Sequence, residues 1–279
     1  MESSRPAAPV RNSSFDLALI TDVGNKREGN EDSCGHLLEN DSVVLFLVAD
    51  GVGGYEGGEI ASAMVVETTL EAFRSSAPDL GTAKRLHRAL QRANIEVHNR
   101  ALAVPELRRM ATTATAIAVN FSDGMLYGAH CGDCRLYRVR GRKIEQLTRD
   151  HTVVGERVRM GLMTPDRARN HPDRSALSRC LGQDLIPSID RITTPIQQHD
   201  RLIVCSDGLW SVLTDAEIER LTRDADAETV CRRLIDTANE RGTPDNLTVG
   251  VFVQVAESAN STERRGWRAR IAGIFPRGS

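Results

Sequence analysis

Four aspartates in this chain stand at the ends of apolar runs, each beside a glycine or a turn: Asp50, Asp133, Asp207 and Asp245. The unbroken apolar run 43–49 leads into Asp50-Gly51-Val52-Gly53-Gly54. Burying a carboxylate is costly unless it is paired or coordinates a metal. The run 201–205 repeats the arrangement and hands Asp207 to Gly208, Gly132-Asp133 sits at a bend, and Asp245 precedes its strand. No Cys or His accompanies the four at ligand spacing. An all-oxygen set selects hard cations, Mg²⁺ or Mn²⁺ rather than Zn²⁺. Two such ions about 3.5–4 Å apart hold a bridging water and lower its pKa, which makes a nucleophile for in-line displacement at phosphorus. Arg27 would grip the phosphate oxygens with its planar fork. For any one such stretch alone, a strand with a solvated turn is the favoured reading. The polar loop 22–32, with Arg27, Glu31 and Asp32, reads either as solvated or as an anion-binding arginine beside metal-site acids.

The elements that must position these groups come in blocks rather than strict alternation, which argues for an α+β fold. Alternation at Phe15, Leu17 and Leu19 suggests a first strand, and 43–49 is a strand buried on both faces. Helices are expected over 59–73, with Ile60, Met64 and Phe73 on one face, and over 83–102, where Leu86, Leu90, Ala93, Val97 and Ala101 form a stripe. A β-rich stretch follows at 112–121, 125–130, 134–140 and 144–147, read as one antiparallel meander with a turn at Ser122-Asp123-Gly124. Residues 148–182 are charged and poor in large apolar side chains, a surface excursion with a short helix from Thr164-Pro165-Asp166. Strands at 189–194 and 201–205, a capping box at Thr214 to Glu217, a helix over 227–240 stopped by Gly242, and a strand over 247–255 complete the order. His87, His98, His151 and His171 read as surface residues.

Composition narrows the class. A net charge of −2 over 279 residues gives no reason to expect nucleic acid. No stretch approaches the ~20 apolar residues of a membrane span, and residues 1–14 lack an apolar signal core, so a cytoplasmic protein is expected. The six cysteines are scattered, as in a reduced protein, and Cys131 and Cys134 read as incidental thiols. Residues 1–14, rich in Ser, Pro and Ala, are expected to be disordered.

Taken in order, Arg27-Glu28-Gly29-Asn30-Glu31-Asp32, Asp50-Gly51-Val52-Gly53-Gly54, Gly132-Asp133-Cys134-Arg135, Ser206-Asp207-Gly208 and Asp245-Asn246 resemble the motifs of the metal-dependent protein phosphatase (PPM) family, the type 2C serine/threonine phosphatases. Five motifs in order and spacing are far more specific than any one. The bacterial branch is the closer match, because Thr148-Arg149-Asp150-His151 and the 148–182 excursion resemble its flap segment.

The resemblance covers about 15–255 and implies a phosphatase domain over 15–256. It implies a four-layer α-β-β-α sandwich, two antiparallel sheets flanked by helix pairs, with a metal pair at one end. By resemblance Asp50 bridges two Mn²⁺ or Mg²⁺ ions, the Gly51 carbonyl binds the first, and Asp207 and Asp245 bind the second. Asp133 with Asp207 matches a third, weaker metal position, Glu31 and Asp32 act through metal-bound waters, and Arg27 binds phosphate. The implied partners are phosphoserine and phosphothreonine proteins and a cognate bacterial Ser/Thr kinase system, and a monomer is expected.

Three positions depart from the family pattern. Val52 stands where animal members carry a histidine thought to protonate the leaving group. Cys134 replaces a serine and suggests a redox-sensitive thiol. Ser211 replaces an aspartate and weakens the expectation of a third metal. Beyond the domain, 257–279 carries Arg264, Arg265, Arg268, Arg270 and Arg277 around Trp267, Ile271, Ile274 and Phe275, which reads as an unstructured tail or as a basic amphipathic segment for a membrane surface or acidic partner. Two other functions remain to be weighed: a non-catalytic phosphoprotein-binding module, which should have lost metal ligands, and a small-molecule phosphoesterase.

Overall fold

Strand β4 (Val43–Asp50) is buried along almost its whole length because the fold covers both of its faces. Val44, Phe46 and Val48 meet Phe15, Leu17, Ile117, Leu202 and Phe252 on one side. Val43, Leu45, Leu47 and Ala49 pack on the other against helices α1 (Gly58–Ser75) and α2 (Thr82–Ala103). Strand alternation thus divides one apolar run between two cores. The computed structural model describes residues 7–52, 57–169 and 171–255.

Strand β4 lies in a five-stranded antiparallel sheet ordered β3 (Asp32–Glu39), β4, β5 (Ala114–Asn120), β6 (Met125–Cys131), β9 (Asp190–Pro195). The second sheet is six-stranded and antiparallel, ordered β1 (Ala7–Arg11), β2 (Phe15–Asp22), β11 (Leu247–Gln254), β10 (Arg201–Cys205), β7 (Arg135–Arg140), β8 (Lys143–Gln146). Phe15, Phe46, Phe121 and Phe252 stack between the sheets. The outer face of the second sheet packs on α5 (Asp207–Trp210), α6 (Asp215–Leu221) and α7 (Ala227–Glu240). The result is the expected α-β-β-α sandwich. Each fully buried Phe or Leu contributes about 1.5–3 kcal/mol of transfer free energy.

Several local expectations hold for identifiable reasons. The α2 stripe is buried as its spacing implied. The capping box at Thr214 and Glu217 opens α6, and Gly242 ends α7 at a φ of 71°. The flap segment holds α3 (Val153–Arg159) and α4 (Pro165–Arg169).

Others need correction. Residues 7–11 are not disordered: β1 pairs with β2, and Arg11 bridges Asp16 at 2.9 Å. A short edge strand needs only a neighbour with a free backbone edge, which Ser/Pro/Ala composition does not disclose. The stretch 114–146 is not one meander. β5 and β6 belong to one sheet and β7 and β8 to the other, so the chain crosses between sheets at Gly132-Asp133. The core face of α1 is set by Ala61, Val65, Val66 and Phe73, while Ile60 and Met64 flank it half-buried. Strand β3 was not anticipated, because its pattern DSCGHLLE has little alternation. The tail 257–279 lies outside the described residues.

Candidate active site

The expected site residues gather at one end of the sandwich, on ends of strands from both sheets. Asp32, at the start of β3, lies opposite Asp50, at the end of β4. The next residue, Gly51, donates its N–H to the Glu31 carbonyl at 3.1 Å and forms an isolated bridge with Thr112. The Asp50 carbonyl is held by Thr113 N–H at 2.8 Å and the Thr112 hydroxyl at 2.7 Å. Asp133 sits at the sheet crossing, where Gly132 adopts a φ of 110° and any Cβ would collide with Thr113. Trp210 Nε1 donates to the Asp133 carbonyl at 3.0 Å. Asp207 opens α5, separated from β10 by Ser206 alone, and Asp245 is separated from β11 by Asn246 alone.

One residue that sequence reasoning quoted without a role holds the N-terminal loop in place. Asn246 Oδ1 accepts from Glu31 N–H at 2.9 Å, and its Nδ2 donates to the carbonyls of Val23 and Gly29 at 2.9 and 2.8 Å. This side chain ties the loop bearing Arg27, Glu31 and Asp32 to the strand end bearing Asp245. Gly208 makes the close approach of α5 to the start of β11 possible here, since a Cβ on it would collide with the Asn246 carbonyl. Gly208→Ala is therefore expected to cost about 1–3 kcal/mol of stability and to weaken Mn²⁺ binding. Urea denaturation and a Mn²⁺ titration check this, and a variant matching the parent in both would remove the role given to Gly208.

The electrostatics show that the acids share one field. Asp50 is held well above the usual carboxylate range, first by burial and then by the charges of Asp32, Asp207, Asp133 and Asp245. Asp133 is also raised well above it, first by burial and then by the charges of Asp207 and Asp150. Burial followed by the charges of Asp245 and Asp32 pushes Asp207 up to about 7, and burial lifts Asp32 to about 6. Ser206 Oγ donates to Asp32 Oδ2 at 2.7 Å, yet Asp32 Oδ1 and Asp207 Oδ1 are buried without a hydrogen-bond partner. Arg27 Nη2 reaches Asp245 Oδ2 at 2.7 Å and feels Glu31 and Asp207 as well.

Among the described residues no three His, Cys, Asp or Glu side chains stand together as a finished metal cage, and Asp245 is turned onto Arg27. The donor set nevertheless fits hard cations. It is all oxygen, it carries excess negative charge at low solvent exposure, and two of its oxygens lack partners.

A cavity of about 910 Å³ adjoins this end, walled by α3, α4, Arg135, Asp190, Trp210 and Thr214. His151 is not a solvated loop histidine: it is 2% exposed. Its Nδ1 accepts from Gly132 N–H at 3.1 Å, and its Nε2 lies 3.2 Å from Asp190. It fastens the flap to the loop carrying Asp133. Arg174, on the excursion, lowers Asp207 more than Arg27 does, so a second cation faces the acids. Neither role had a sequence signal beyond residue type. Cys134 is fully buried, and burial and the charge of Asp50 raise its thiol well above normal, which opposes the thiolate that redox sensitivity needs. Ser211 Oγ is buried without a partner.

The family model for protein phosphatase 2C matches residues 25–249. The chain belongs to the protein phosphatase 2C family. The protein phosphatase PhpP of Streptococcus pneumoniae is 32% identical over 249 residues, covering 88% of this chain and all of that protein. The crystal structure of the Mycobacterium tuberculosis serine/threonine phosphatase PstP/Ppp superposes with a TM-score of 0.78 at 31% identity, over 87% of this chain and all of that one. The PstP catalytic domain in complex with two manganese ions gives a TM-score of 0.74 at 30% identity, over 87% of this chain and 99% of that one. As a protein phosphatase 2C member, the chain carries its motifs on the strand ends where the acids converge. No described helix is long and apolar enough to cross a membrane.

Proposed function

We propose that this chain hydrolyses phosphoserine and phosphothreonine in proteins with two resident Mn²⁺ or Mg²⁺ ions. One observation carries the reading: Asp50, Asp133, Asp207 and Asp32 are crowded into a single negative field beside Arg27. In this reading Asp50, the Gly51 carbonyl, Asp207 and Asp245 would hold the two ions. Asp133 with Asp207 would offer a weaker third position, and Glu31 and Asp32 would act through water. The ions, when bound, supply an activated water and charge neutralisation for attack at phosphorus.

Arg27 has the protein's own part in that step. Its guanidinium holds two phosphate oxygens and orients phosphorus toward the acids. Its contact with Asp245 keeps the fork at the rim until a phosphate arrives. Arg27→Ala is expected to lower kcat/KM by about 10–100-fold, in line with one charge-assisted contact of roughly 1.5–3 kcal/mol. Most of that effect should appear in KM, with partial recovery in Arg27→Lys. Steady-state kinetics on a phosphothreonine peptide read it, and an unchanged KM with normal kcat would remove Arg27 from the phosphate site.

The reading places the protein in the cytoplasm as a monomer, acting against a bacterial Ser/Thr kinase. For the tail, an acidic partner or membrane surface is proposed from its arginines, and deleting 257–279 should lower such binding without touching catalysis. The experiment for the function is manganese-dependent hydrolysis of an aryl phosphate, followed by a panel of phosphoserine, phosphothreonine and small-molecule phosphates. Turnover confined to small molecules would overturn the protein-directed reading. Turnover unaffected by chelation would overturn the metal-dependent one.

A further inference from the structure

Helix α2 carries an exposed stripe opposite its core face. Lys84, Arg88, Gln91, Ile95, His98 and Leu102 fall within about 40° either side of one line along the helix, at 100° per residue. Beside the N-terminal half of that stripe lies a cavity of about 230 Å³, lined by Lys84, His87, Arg88, Gln91 and, from β9, Arg191. Its lining holds no carboxylate. Lys84, Arg88 and Arg191 are exposed and form no ion pair among the described residues. His87 Nδ1 is buried there without a hydrogen-bond partner.

The C-terminal half of the stripe is apolar. Asn94 Nδ2 donates to the carbonyls of Asp184 and Leu185 at 2.8 and 3.2 Å, and His98 Nδ1 lies 3.0 Å from the Gly182 carbonyl. These contacts fix the loop 182–186 against the helix turn carrying Ile95 and His98. The loop leaves Leu185 52% and Ile186 83% exposed, and Leu102 is 69% exposed on the same stripe. This end also leads to the active site, because Leu181 pairs with Thr112, and Thr112 pairs with Gly51.

Cations held close together without acids repel one another, and a partner carrying the opposite charge relieves that repulsion. The stripe spans about 27 Å at 1.5 Å per residue, the length of roughly eight residues of extended chain. We propose that this groove between α2 and β9 docks an acidic segment of a phosphoprotein substrate, with carboxylates over Lys84, Arg88 and Arg191 and aliphatic side chains over Leu185 and Ile186, away from the phosphorylated residue itself. The inference rests on the hydrolase reading above. The cavity at its basic end suits a peptide better than a lipid surface, and the arginine-rich tail of this chain has the wrong charge for it.

The test is fluorescence anisotropy of a labelled peptide, four glutamates followed by leucine and isoleucine, titrated with the full chain. Saturable binding is expected, weakened at least about tenfold by the triple variant K84E/R88E/R191E. Hydrolysis of p-nitrophenyl phosphate with Mn²⁺ should stay at the parent level. The milder K84Q/R88Q/R191Q and the apolar-end variant Ile186→Asp should weaken binding in the same direction, so a folding failure of the charge reversal does not decide the matter.

Absence of saturable binding, or equal binding by the parent and the neutralised variant, overturns the proposal. So does equal affinity for an all-glutamate peptide, which would make the groove a simple anion trap. Vesicles of phosphatidylserine that displace the peptide through the same three residues would assign the surface to lipid instead. Hydrolysis without peptide binding sinks the groove alone. Peptide binding in a chain that never hydrolyses aryl phosphate sinks the hydrolase reading, and the substrate role of the groove with it.

Discussion

Asp50→Asn and Asp207→Asn are each expected to lower kcat/KM by about 10³-fold or more while making the metal-free protein more stable. The loss follows from removing a charged donor that neutralises and orients the reacting centre, an effect of several kcal/mol at about 1.36 kcal/mol per decade of rate. The gain follows from the same charge. Both carboxyls are raised by burial and by neighbouring acids, so each ionised form opposes folding when no cation is present. An amide of equal size keeps the packing and deletes the repulsion, a trade of function for stability common at such sites. The two readouts together separate loss of a ligand from misfolding. Thermal unfolding in EDTA and turnover in Mn²⁺ measure them. A variant that retains activity, or one that loses both activity and stability, contradicts the assignment.

The second large effect is on stability against pH without metal. Asp207 titrates near 7 in the folded chain and Asp32 near 6, and Asp50 and Asp133 stand well above their ordinary value. In the unfolded chain all four titrate near 4. The folded state therefore holds more protons over the intervening range. The stability contributed by the neutral carboxyls is present at low pH and is lost as pH rises through the folded values. Buried His130, lowered to about 4, and His151, also lowered, act in the opposite sense below about pH 6.5, where the unfolded histidines take up protons.

The clean window is thus pH 6.5 to 8. Across it the metal-free protein is expected to lose stability, because the folded state holds more protons than the unfolded chain and that advantage disappears as the carboxyls ionise. Saturating Mn²⁺ should flatten or reverse the slope, because ionised acids bind cations better, and at 100 times Kd a ligand adds about 2.7 kcal/mol. Differential scanning fluorimetry in EDTA and in Mn²⁺ at the two pH values decides it. A metal-free Tm that is level or rising between pH 6.5 and 8 would contradict the shared buried field.

How much of this was legible beforehand depended on the kind of signal. The apolar run before Asp50 and the stripe on α2 are strong periodic patterns, and the structure honours them. The acids were legible because each sits at a change from apolar run to turn. The sheet assignment of 125–140 was not, because strands that pair and strands that part at Gly132 look alike one at a time. Edge strand β1 has no core pattern of its own. Asn246 and His151 act through hydrogen bonds to backbone groups far away in sequence, at separations of 215 for Glu31 and 19 for Gly132. No local rule weighs such contacts. The exposed face of α2 was visible as spacing, but its partner Arg191 arrives from a strand about a hundred residues later.

The position of β11 has a consequence for biosynthesis. This strand comes last in the described order, yet it sits in the interior of its sheet, between β2 and β10, and is preceded by Asp245 and Asn246. Until the ribosome has released it, β2 and β10 lack their shared neighbour, and the loop with Arg27 has no anchor. A nascent chain therefore has no assembled site before β11 has left the ribosome. The sheet and the anchorage of the Arg27 loop are completed by the same strand.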